Sequence, residues 1–155
     1  MTRRLLAALV LWIAAAAGAQ AAEDLATILA RASPPAGVVF ELFKLDVEEV
    51  RSLIPQVADH VETLRARFPG LPVAVVSHGN ELRALQRKRA GDFAQIHDQV
   101  QRLTGTADVE MHACGTYAGW QGIAAEDFPD YIDVVPSGPQ QIRDYEERGY
   151  VKVRL

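Results

Sequence analysis

The sequence predicts an α/β domain in which helices cover both faces of a mostly parallel, five-stranded sheet. Three observations carry this. Five short runs rich in β-branched and aromatic residues have strand character. Between them lie segments whose apolar residues recur at spacings of three and four, or whose capping residues open a helix. Strand followed by helix, four times over, implies right-handed crossovers and therefore parallel pairing.

Gly37–Lys44 (GVVFELFK) is the first strand. Asp46 caps the helix after it, with Glu48 and Glu49 placed where the helix dipole favours negative charge. Val47, Val50, Leu53, Ile54, Val57, Val61, Leu64 and Phe68 share one helical face, although Pro55 should kink the helix, and Phe68-Pro69-Gly70 ends it. Leu71–Ser77 (LPVAVVS) is a continuous apolar run, the pattern of a strand covered on both sides. His78-Gly79-Asn80 then turns into a short helix near Glu81–Lys88. Asp92 with Gln95 reads as a capping box for a helix burying Phe93, Ile96, Val100 and Leu103, which Gly105 closes. Asp108–Ala113 is the third strand, running into Cys114-Gly115-Thr116 and a helix to about Ala125. Ile132–Val135 is the fourth strand. Ser137-Gly138-Pro139-Gln140 opens the last helix, and Tyr150–Leu155 alternates as a half-exposed edge strand.

The first residues stand apart. Arg3 and Arg4 precede an uncharged apolar stretch, Leu5–Ala19, and Ala19-Gln20-Ala21 supplies small residues for processing. That is the layout of a secretory signal, and the stretch is shorter than the roughly 20 residues of a spanning helix. The expectation is a removed signal, 1–21, a single domain over 22–155, and a periplasmic product that meets the membrane only during export.

The chain has 155 residues, with 16 Lys and Arg against 20 Asp and Glu and a net charge of −4. Without a basic face it is not expected to bind nucleic acid. One cysteine excludes an internal disulfide framework and any CxxC zinc site. No GxGxxG, P-loop, GxSxG or HExxH motif occurs, so no cofactor is implied.

Ligands of open α/β sheets gather at the carboxyl ends of the strands, where two segments carry chemistry. One is Ser77-His78-Gly79-Asn80; the other is His112-Ala113-Cys114-Gly115-Thr116. Cys114 lies between a strand and a helix start, where free N–H groups would stabilise a thiolate. Gly115 would leave the sulfur open, with Gly79, Gly115 and Thr116 as thiolate or anion stabilisers. The alternative for Cys114 is a small buried hydrophobe. Glu110, His112 and Cys114 share one strand face, so His112 could assist the thiolate, and so could His78 if the second and third strands are neighbours. The same three residues, His78, His112 and Cys114, would also offer soft-metal ligands. His60 and His97 read as solvated, and Arg83, Arg87, Lys88 and Arg89 as a solvated basic face.

Val75-Val76-Ser77-His78-Gly79, Val109–Gly115, Val134-Val135-Pro136-Ser137-Gly138 and Glu147-Arg148-Gly149-Tyr150 together resemble the DsrE/DsrF-like sulfur-carrier family. The resemblance runs in order from Gly37 to Leu155. It implies a flavodoxin-like α/β/α domain with a five-stranded sheet, assembled as trimers or hexamers. It also implies a cysteine that carries sulfur as a persulfide or thiosulfonate between donor and acceptor proteins or small sulfur compounds. Cys114 matches that cysteine, and His78 with Gly79 matches the family's histidine-glycine turn. The family's relay members act in the cytoplasm, whereas this chain has the features of export. Two other readings accompany the carrier: a non-catalytic binding or assembly module with a packed cysteine, and a copper or zinc protein using Cys114 with His78 or His112.

Overall fold

A computed structural model describes residues 22–155; the export signal read from 1–21 lies outside the described residues. A short helix, α1 (Leu25–Leu29), precedes β1 (Gly37–Leu42), every residue of which is buried. Asp46 Oδ1 accepts from Glu48 N at 3.0 Å to start a 3-10 turn, and α2 comes next at Val50–Arg67. The helix continues through Pro55. Interior proline costs about 3 kcal/mol. Burial of Val50, Leu53, Ile54, Val57, Val61 and Leu64 outweighs that, at roughly 1.5–3 kcal/mol for each large apolar side chain.

β2 (Val73–Ser77) is wholly buried. The helix expected near Glu81–Lys88 is instead a pair of 3-10 turns, Asn80–Leu85 and Arg87–Arg89. Glu81 is the cause. Its side chain reaches back to Ser77 and Gly79, competing with α-helical backbone pairing and drawing the first turn inward. The Asp92–Gln95 capping box does not form either, because Asp92 accepts from Arg89 Nε at 3.0 Å and α3 (Ala94–Gly105) begins without a side-chain cap. After β3 (Val109–Cys114), α4 (Gly115–Trp120) is shorter than expected, ending where Gly122 takes φ +68. β4 is only Asp133–Val135. Ser137 Oγ accepts from Gln140 N at 3.3 Å to cap α5 (Gly138–Glu147), and β5 (Tyr150–Arg154) ends the domain.

All strand pairs are parallel, in the order β4-β3-β2-β1-β5. The chain moves one way across the sheet from β1 to β4, then returns through α5 to place β5 beside β1. Right-handed crossovers therefore put α2, α3 and α4 on one face and α5 alone on the other. The two cores reflect this. Val38, Phe40, Val75 and Met111 pack with α2 and α3, while Val39, Ala74 and Val76 pack with Ile142 and Tyr145 of α5. Polar residues gather on the α5 face.

Candidate functional site

The period of two along β3 places Glu110, His112 and Cys114 on the α5 face, as expected. Cys114 is both the last residue of β3 and the cap of α4, and its Sγ accepts from Tyr117 N at 3.4 Å. Thr116 does not serve the sulfur. Its amide donates to Pro136 O at 3.1 Å and its hydroxyl to the same oxygen at 2.6 Å. Gly115 acts by its size: a Cβ there would stand 3.1 Å from Val135 O, so the glycine lets α4 start against the end of β4.

Cys114 is 3% exposed and borders a cleft of about 380 Å³ at the carboxyl edge of the sheet. Phe43, Tyr117, Trp120 and Pro139 form its apolar walls; His78, Thr116 and Ser137 supply the polar ones. Phe43, Leu45 and Trp120 are the large exposed hydrophobic residues of the described chain, at 46%, 74% and 77%. Phe43 and Trp120 lie at the mouth of this cleft, and Leu45 stands two residues beyond Phe43.

His78 stands one residue past β2. Its Nε2 is 3.0 Å from Glu41 Oε1, and Arg154 Nε donates to the other Glu41 oxygen at 2.8 Å. The bond to His78, aided by Arg154, holds the Glu41 carboxyl down at about 2 although burial opposes this. Glu41 is therefore ionised at all ordinary pH. β2 and β3 are neighbours, so His78 and Cys114 do converge. A Cβ at Gly138 would lie 2.9 Å from His78 Cβ and 3.1 Å from Cys114 Cβ, so both residues pack against the same glycine, with no room for a methyl group between them and α5.

Two other expectations need correction. Gly79 offers no amide to an anion in the cleft, because its N–H donates to Glu81 Oε1 at 2.9 Å. It is glycine because the backbone of Lys44 passes there, and a Cβ would meet Lys44 N and O at 2.6 Å. Glu81, fully buried, also accepts from Ser77 Oγ at 2.7 Å and Lys44 N at 2.8 Å, tying the turn after β1 to the turn after β2. His112 does not line the cleft. Its Nε2 is 2.8 Å from Tyr145 OH, which itself donates to Glu110 Oε2 at 2.9 Å. Nε2 must then carry the proton, which leaves Nδ1 buried and without a partner among the described residues. Burial pushes the His112 ring below its ordinary pKa and pushes the Tyr145 phenol above its own.

The metal reading gains nothing: among the described residues no three His, Cys, Asp or Glu side chains cluster as ligands. His97 is not solvated. It is buried, with Nδ1 2.6 Å from Tyr131 OH and Nε2 3.0 Å from Ala84 O. His60 is half-buried against the Phe40 ring. In the basic stretch, Arg87 pairs with Asp130 and Arg89 with Asp92.

Sequence reasoning missed Glu41, Arg154, Glu81, Tyr145 and the packing role of Gly138. Glu41 had a visible signal, a lone carboxylate inside an apolar strand. Arg154 faces it in register across β1 and β5.

Fold and cleft define a three-layer α/β domain of flavodoxin-like arrangement, with a cysteine where the central sheet meets a helix start. No family model matches the chain, and no curated protein does. Among solved structures, a protein of unknown function from Methanobacterium thermoautotrophicum is 25% identical at TM-score 0.56, covering 76% of this chain and 97% of its own. Another of unknown function, from Bacteroides thetaiotaomicron, is 11% identical at TM-score 0.54, covering 76% and 94%. These similarities bear on the fold.

Proposed function

We propose that this protein carries sulfur on Cys114 as a persulfide or thiosulfonate, in the manner of the DsrE/DsrF-like carriers it resembles, and that it does so in the periplasm. The supporting observation is the placement of Cys114. Its sulfur accepts a helix N-terminal amide at 3.4 Å and borders a cleft wide enough for a small sulfur compound or the cysteine loop of a partner. The exposed Phe43, Leu45 and Trp120 suit a surface that docks donor, acceptor or further copies in a trimer or hexamer. The test is intact mass spectrometry of the protein taken from its native compartment without reductant. Added sulfur on Cys114 that a thiol removes is expected; an unmodified thiol that also stays inert to polysulfide overturns the proposal.

A second reading rests on the 3% exposure of Cys114: a binding or assembly module in which the cysteine only packs. Such a thiol resists alkylation until the protein unfolds, whereas a carrier thiol alkylates in the native state.

A further inference from the structure

Sulfur transfer expels a thiolate, and Cys114 alone has no means of managing it. When the Cys114 thiolate attacks the outer sulfur of a donor R–S–SH, the bond from Sγ to that sulfur forms. The donor S–S bond breaks, and its electron pair departs on R–S⁻. An alkyl thiolate is basic and leaves slowly unless a proton meets it. Of the described residues lining the cleft, none is Lys, Arg, Asp or Glu. Tyr117 spends its hydroxyl proton on Asn80 Oδ1 at 2.8 Å. His78 is what remains.

We infer that His78 is the general acid that protonates the departing thiol at Cys114, and that Glu41, clamped by Arg154, is its positioning residue. The inference rests on the carrier reading and adds the proton path to it. Glu41 holds Nε2 at 3.0 Å, so Nδ1, without a partner among the described residues, is the nitrogen left for a substrate. Glu41 from β1 and Cys114 from β3 are the titratable groups facing the ring. Arg154 from β5 acts through Glu41, α5 brings Gly138 against the histidine and Pro139 to the wall of the same cleft, and the Phe43 ring lies 5.1 Å away. The return step balances the first. His78 takes the proton of an acceptor R′–SH, the acceptor thiolate attacks the outer sulfur of the Cys114 persulfide, and the Cys114 thiolate is released. No oxidant or reductant is consumed.

Two neutral disulfides separate this role from general support of the thiolate. Bis(2-hydroxyethyl) disulfide releases a basic alkyl thiolate, whereas bis(4-nitrophenyl) disulfide releases an aryl thiolate that needs no proton. Rates at Cys114 are measured on the full chain by rapid quench and mass spectrometry. His78→Gln is expected to slow the alkyl reaction by at least about tenfold and the aryl reaction by less than about twofold. Glu41→Gln, which removes the carboxylate that orients the ring, should show the same selective loss on the alkyl disulfide, with the aryl rate again changed by less than about twofold. It carries the comparison should His78→Gln not fold. Equal losses on both disulfides, or no loss on either, overturn the assignment while leaving the carrier intact. A native Cys114 inert to both reagents overturns the carrier reading and this inference together.

Discussion

Gly138→Ala probes the point where α5, β2 and β3 meet. The added methyl would sit 2.9 Å from His78 Cβ, 3.1 Å from Cys114 Cβ and 3.3 Å from Val76 Cγ1. Carbon atoms prefer about 3.5–4.0 Å, so the start of α5 must lift by roughly half an ångström or more. The contacts are with strand-end Cβ atoms, which cannot swing aside as a flexible side-chain tip would. Overpacking of this kind costs about 1–3 kcal/mol, and the better helix propensity of alanine returns less than about 1 kcal/mol. The net expectation is a loss of about 1–2 kcal/mol and a Tm lower by roughly 3–8 °C. Because the lift moves the walls of the cleft, native alkylation of Cys114 by iodoacetamide should change in rate as well. Gly105→Ala is the control, since nothing lies within 4 Å of a Cβ there and the substitution should be neutral or stabilising. Thermal unfolding and alkylation kinetics read both effects. A Gly138→Ala protein as stable as its Gly105→Ala counterpart, with unaltered alkylation, refutes the close-packing argument.

Three further outcomes are expected. Tyr145→Phe strips the partner from His112 Nε2–H and Glu110, costing about 1–3 kcal/mol in urea unfolding, while leaving Cys114 alkylation unchanged because neither group lines the cleft. Glu41, held at about 2 against an ordinary 4.5, refuses protons in the folded state that the unfolded chain accepts. Its contribution, on the order of 1–3 kcal/mol, is present above about pH 5 and is lost as pH falls toward 2; acid titration of Glu41→Gln should lack this component. Glu81→Ala orphans Ser77 Oγ, Gly79 N and Lys44 N at once and should cost about 3 kcal/mol or more in chemical denaturation, with Glu81→Gln losing less.

The layered α/β arrangement was legible because it is written in short-range periodicity: apolar runs such as VAVVS, and α2's three- and four-residue spacing. The shared face of Glu110, His112 and Cys114 came from the pleat alone. His97 could have been read correctly, since it sits four residues after Phe93 and three before Val100, on the buried side of α3. What periodicity cannot supply is who meets whom across the sheet. Strand order decides that Glu41 reaches His78 and Arg154, that Tyr145 captures His112, and that Gly79 spends its amide on Glu81. The 3-10 turns after β2 were hidden for the same reason, because their cause is a carboxylate pulled inward by donors from Ser77, Gly79 and Lys44.

The bond between Glu41 and Arg154 joins residues 113 positions apart, and α5 spans the whole sheet to make it possible. A folding chain can therefore hold its thiol in place before the surroundings of that thiol are complete. β1 to β4 can assemble by neighbour-to-neighbour pairing, but the last strand closes the largest loop in the domain, which is the slowest kind of contact to form. Until β5 docks, the Glu41 carboxylate has one cationic partner fewer and α5 has no anchored end to press against His78 and Cys114. The packing around the thiol is thus completed last, because it depends on contacts made by nearly the final residues of the domain.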